Sequence, residues 1–141
     1  MKVKYLEKFY VAGITTRTNN KIELDETTAQ ISKLWQRYVD ENIESKTFNK
    51  SKSLAMYGVY NKYEKDVNSD YDYTIGVEVT KFKNAITIEK DRYLVFSKKG
   101  EFPKVVIETW HEVWDYFASK ECEYERVYNF DFEKYSKDDE I

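Results

Sequence analysis

Cysteine, histidine and proline each occur once among the 141 residues, and glycine four times. The single thiol, Cys122, excludes an internal disulfide and any cluster held by several thiolates. The single imidazole, His111, excludes a histidine-rich metal site, and any Ser–His or Cys–His mechanism would have to use it. No stretch approaches the roughly 18 uninterrupted apolar residues of a membrane span. The opening Met1-Lys2-Val3-Lys4-Tyr5 lacks the apolar core of a secretion signal. A cytoplasmic protein with no membrane partner is therefore expected. Charge of one sign is also lacking: 23 Lys+Arg stand against 26 Asp+Glu, for a net charge of −3. That argues against a nucleic-acid binder, which needs a basic domain or stripe. The acidity is local, since residues 121–141 carry 3 basic and 8 acidic side chains. Phosphate-cradling glycine loops, nucleophile elbows and metal-spaced His/Cys sets are absent.

What is abundant is aromatic: 13 Tyr, 8 Phe and 3 Trp, or 17% of the chain. Charged residues reach 35%, against about 25% in ordinary soluble domains. Rings bury a large area each and stack on flat or cationic groups, so this composition fits an aromatic β-rich core or the walls of a ligand site.

With little glycine or proline, periodicity carries the secondary structure. Residues 2–17 read as a first strand, and Thr18–Lys21 as a polar loop. Asp25 or Thr27 is placed to cap a helix over about 26–42, whose Ile31, Leu34, Trp35, Tyr38 and Val39 recur at helical steps. Residues 54–63 and 71–80 form a hairpin across an acidic turn, with Gly58 and Gly76 marking a bulge, simple crowding or a close approach by another group. The order then restarts. Residues 85–97 read as a strand, and Pro103 opens a second helix striped by Val106, Trp110, Val113 and Phe117, widened by Ile107 and Trp114. Residues 123–135 form a further strand. One α+β domain over 1–141 is expected, built from two pseudo-symmetric β-α-β-β units of antiparallel sheet with a groove between them. Phe9, Tyr38, Phe96, Phe117, Phe130 and Phe132 are assigned to packing.

Asn129–Tyr135 is the segment richest in chemistry. In a strand, Asp131, Glu133 and Tyr135 share one face, while Phe130, Phe132 and Lys134 share the other. If Glu133 faces a cleft of tyrosines and tryptophans, burying its charge alone costs several kcal/mol, which a delocalised cation would offset. Spacing alone favours a Glu133 paired with a Lys or Arg, or directed to solvent. His111 at the edge of the helix stripe and Cys122 just beyond it fit a surface residue and a small filler.

Several motifs together resemble the GyrI-like effector-binding family: Tyr57–Glu64 with Tyr71–Val79, Tyr93–Gly100 leading through Pro103 into Ile107–Trp110, then Arg126 and Asp131–Tyr135. The resemblance spans nearly the whole chain in the family's order. It implies two strand–helix–strand–strand units around a shared groove that holds lipophilic or aromatic cations by ring stacking and a central glutamate. By position that glutamate is Glu133, with Trp110 and Tyr135 also matching. Tyr57, Tyr73 and Trp35 are added by strand parity and helix face. The resemblance further implies a last hydrophobic strand, part of the groove lining, beyond Ile141. No cofactor or metal is implied, a monomer or weak homodimer is expected, and no helix-turn-helix accompanies the domain. A stand-alone binding protein for sensing or sequestration follows. The alternatives are a hydrolase of small electrophiles with Glu133 as general base, and a protein-interaction regulator such as a gyrase inhibitor using the acidic C-terminal segment.

Overall fold

The computed structural model describes residues 1–53, 55–65, 68–119, 122–124, 126 and 130–136. Leu54, the turn residues 66–67, most of the expected strand before residue 130 and the charged residues 137–140 of the acidic C-terminal segment lie outside them. The elements in order are β1 (Lys2–Leu6), β2 (Phe9–Thr18), α1 (Asn20–Leu24), α2 (Ile31–Asp40), α3 (Ile43–Lys46), β3 (Met56–Asn61), β4 (Tyr71–Val79), β5 (Ile86–Ile88), β6 (Asp91–Val95), α4 (Lys104–Ala118) and β7 (Phe130–Tyr135). The chain is α+β, and its described residues form curled antiparallel sheet and four helices.

Two expected strands are each broken once. The pairs Leu6↔Asp91 and Phe9↔Ile88 keep one register across both breaks, so β1–β2 and β6–β5 form a single bent ribbon. Glu7-Lys8 and Glu89-Lys90 occupy the bend, where charged side chains stay in water. The ribbon passes from the two-stranded sheet β1-β6 into the five-stranded sheet β5-β2-β4-β3-β7. The expected hairpin forms as β3 and β4, in register from Met56↔Val77 to Asn61↔Asp72.

The helix expected over 26–42 starts later, at Ile31. The Thr27–Gln30 capping box does not form, because Asp25 instead accepts the Thr27 backbone N–H (2.9 Å) and hydroxyl (2.7 Å) in a local turn. The cap comes from a distance. Glu23, on the short α1, accepts the backbone N–H of Gln30 (2.9 Å) and of Ile31 (3.0 Å), satisfying two donors that a helix start leaves open.

The five-stranded sheet is apolar on both faces. One face buries Val11, Tyr57, Val59 and Ile88, joined by Phe9, Tyr93, Phe130 and Phe132. The other buries Leu34, Tyr38, Tyr73 and Ile75 beneath α2, joined by Trp35, Met56 and Tyr60. The stripe on α4 differs from expectation: Val105 and Thr109 are its buried residues, Val106, Trp110, Val113 and Phe117 are half-buried, and Ile107 and Trp114 are exposed. That helix borders a groove of about 900 Å³ rather than a closed core. The groove runs between β1–β6 on one side and α4 with β7 on the other.

Candidate functional site

Glu133 projects from the middle of β7, opposite Gly58 of β3. Alternation puts it on the face of Tyr60 and, across β4, of Tyr73. Glycine at position 58 is what lets the groups meet. A β-carbon there would collide with the Tyr73 hydroxyl and stand 2.6 Å from Glu133 Oε1. Of the alternatives for Gly58, the close approach is the one found. Gly76 is also a close approach, of backbone on backbone, since a β-carbon there would meet the Ala12 carbonyl.

Glu133 is 5% exposed. Four donors surround it: Tyr73 (2.9 Å) and Tyr135 (2.6 Å) hydroxyls donate to Oε1, and the Tyr60 hydroxyl (3.0 Å) and Trp110 indole N–H (2.6 Å) donate to Oε2. Trp35 stands behind this shell. Its indole donates to the Tyr73 hydroxyl at 3.2 Å, and its ring meets Tyr135 edge-on at 5.3 Å. Among the described residues no Lys or Arg pairs with Glu133. Burial, then the Glu133 charge, push the Tyr60, Tyr73 and Tyr135 hydroxyls well above their ordinary value, so all three remain protonated donors.

One residue along the face, toward Asn61, lies a second carboxylate with a cation of its own. Asp131 accepts from Arg126 at 2.7 Å and from the Tyr63 hydroxyl at 2.5 Å. The Arg126 guanidinium also lies over the Trp110 ring, 5.9 Å from its centre. Two neighbouring carboxylates thus have different surroundings: Asp131 is matched by arginine, and Glu133, among the described residues, is held by neutral donors.

Of the residues singled out in the sequence, Glu133, Trp110, Tyr73, Tyr135 and Trp35 come together. Tyr57 does not join them. It occupies the opposite face of β3, packed against Phe9 at 5.4 Å and Phe132 at 6.0 Å, because odd-numbered β3 positions face away from Glu133. It still borders the groove, as do Trp110 and Glu133. Tyr73 is fully buried, so it serves as a donor and not as a stacking surface. Sequence reasoning missed Tyr60 and Tyr63. The pairing of Tyr60 with Asp131 follows from the β3–β7 register, which spacing alone does not specify. His111 is exposed beside Trp114, and Cys122 lies 4.0 Å from the Phe117 carbonyl.

Residues 2–140 match the sequence profile of a family described as Cass2, integron-associated effector binding protein. YobU of Bacillus subtilis (strain 168), a proposed transcriptional regulator, is 24% identical over 143 residues, covering 96% of this chain and 86% of that protein. The fold is similar to that of the integron cassette protein VCH_CASS2 from the mobile metagenome of Vibrio cholerae, with a TM-score of 0.84. The two are 31% identical, over 99% of this chain and 90% of that one. SAV2435, solved with bound tetraphenylphosphonium, shares the fold at a TM-score of 0.70 and 21% identity, over 93% of this chain and 79% of its own.

Proposed function

Because the chain belongs to the integron-associated effector-binding family, we propose that it binds lipophilic, aromatic cations in the groove, with Glu133 as the counter-charge. The observation that carries this reading is a glutamate 5% exposed, its carboxylate bonded by four neutral donors and by no cation among the described residues. Neutral hydrogen bonds solvate the charge without cancelling it. At an effective dielectric of about 20, a cation roughly 5 Å away gains about 3 kcal/mol. Rings at the mouth, Trp110 foremost, add roughly 0.5–2 kcal/mol each. Small lipophilic cations such as tetraphenylphosphonium, the ligand seen in SAV2435, carry both features.

Binding is favoured over turnover by the same hydrogen bonds. Each Glu133 oxygen already accepts two, so neither has a lone pair directed at a water molecule to be activated. The test is Glu133→Gln. The new amide keeps its oxygen for Trp110 and Tyr60 and turns its NH₂ toward the Tyr73 and Tyr135 hydroxyls, which must then accept rather than donate; an unchanged melting temperature is the control that the charge alone has been removed. Quenching of tryptophan fluorescence by a cationic dye is expected at micromolar affinity, near −8 kcal/mol. The Gln variant is expected to bind at least about tenfold more weakly. Unchanged affinity removes the counter-charge role, and hydrolysis of an electrophilic cyclopropane compound that Glu133→Gln abolishes makes the protein an enzyme.

A further inference from the structure

A second feature lies at the other end of β4, four residues beyond the row that holds Glu133, or about 13 Å along the strand. Two loops are tied together there. Lys50 bridges Val79, the Thr80 N–H donates to the Asn49 carbonyl at 2.9 Å, and the Ser51 N–H donates to the Glu78 carbonyl at 2.9 Å. The two segments, 46–52 and 79–84, carry five lysines (Lys46, Lys50, Lys52, Lys81 and Lys83), no arginine and no acidic residue. All five are exposed. Lys46, Lys81 and Lys83 converge with Phe48 on a shallow concavity of about 460 Å³.

The same loops hold two of the most exposed aromatic rings, Phe48 at 85% and Phe82 at 72%. Phe82 pairs with Tyr10 at 6.4 Å between ring centres, and Lys8 lies over the other ring of that pair, 5.9 Å from the centre of Tyr10. In a chain whose net charge is −3, five lysines flank two largely exposed phenylalanines, with Glu44 and Glu78 the nearest acidic residues along the chain.

We infer that this face docks peripherally on an anionic phospholipid surface, with Phe48 and Phe82 entering the headgroup boundary and the lysines above the lipid phosphates and carboxylates. Lysines around exposed rings fit this occupant. Lysine is a mobile point charge suited to a diffuse anionic plane, whereas recognition of an individual phosphate or carboxylate uses the arginine fork. Exposed aromatic rings among lysines are the side-chain pair that interfacial segments use. Single-stranded nucleic acid would need rings presented flat as stacking platforms along a basic groove, and Phe82 is instead tilted against Tyr10. The expectation of no membrane partner came from the absence of a spanning segment, which does not bear on peripheral contact. This inference stands apart from the Glu133 reading and survives its failure.

The test is co-sedimentation of the full chain with vesicles of mixed phosphatidylserine and phosphatidylcholine, and with phosphatidylcholine alone. Binding is expected only to the anionic vesicles, weakening as salt is raised. Lys46→Gln/Lys81→Gln/Lys83→Gln is expected to lower partitioning about 100-fold, and Phe48→Ser/Phe82→Ser to abolish retention at moderate salt. These side chains are exposed, and an unchanged circular-dichroism melt confirms that both variants fold. Equal binding to the two vesicle types, or none to either, overturns the inference. So does competition by soluble glycerophosphate, which would reveal a small-ligand site, or binding to a single-stranded oligonucleotide in the absence of vesicle binding.

Discussion

At Gly58 the side chain is a single hydrogen, and the space a methyl would fill is taken by the Tyr73 hydroxyl and, 2.6 Å from the β-carbon position, Glu133 Oε1. Gly58→Ala must therefore push two buried polar groups apart, and overpacking of this kind costs typically 1–3 kcal/mol. We expect a lower melting temperature together with a loss of dye affinity. If the variant binds as tightly as the parent, Glu133 and Tyr73 do not need their present contact. The residue scale is also where the sequence was most informative about the site. Strand parity within 129–135 separated Glu133 and Asp131 from Phe130 and Phe132, and the structure keeps that division. Parity failed for Tyr57 because it relates residues within one strand only. Which β3 positions share a face with Glu133 depends on the pairing Gly58↔Glu133, a fact of tertiary structure.

Among the elements, α2 shows how a start signal in the sequence can be overridden. Thr27–Gln30 has the spacing of a capping box, yet the turn at Asp25 consumes Thr27, and Glu23 reaches forward to cap Gln30 and Ile31. Glu23 is itself fixed by the Thr18 hydroxyl at 2.6 Å, so it joins the end of β2 to the start of α2. Replacing it by alanine removes all three hydrogen bonds. A loss of about 0.5–2 kcal/mol is expected in urea denaturation, the usual range for a lost cap. A midpoint that does not move would mean that packing of Leu34 and Tyr38 alone sets the helix. The hairpin β3–β4 and the helix α4 were legible because their periodicities are strong. The bends in β1–β2 and β6–β5 were not, since a bend that only exposes two charged residues leaves little trace in a strand pattern.

Across the whole molecule, the aromatic excess is divided between two sheet faces and the groove. On the α2 face it includes hydroxyls that resist ionisation. Burial and the nearby Glu133 raise the Tyr60, Tyr73 and Tyr135 hydroxyls above their ordinary value of 10.0, and burial with Glu44 raises Tyr38 to about 12. In the unfolded chain these groups lose their protons near pH 10, so above that point the unfolded state binds fewer protons than the folded one. Their contribution is therefore complete below pH 10 and falls as pH rises beyond it. Melting temperature should decline steeply above about pH 10, and tyrosinate absorbance should reach its full value only on unfolding. Titration of all the tyrosines in the folded protein near pH 10 would contradict the buried network.

The central claim is that the groove selects charge as well as shape, and two ions of nearly equal shape and opposite sign separate these directly. Isothermal titration of the full chain with tetraphenylphosphonium and with tetraphenylborate compares a cation and an anion bearing the same four rings. The cation should bind at micromolar affinity and at least about 100-fold more tightly than the anion, with Glu133→Gln reducing that ratio toward one. Equal affinities for the two ions, or a ratio unaltered by Glu133→Gln, would contradict the account.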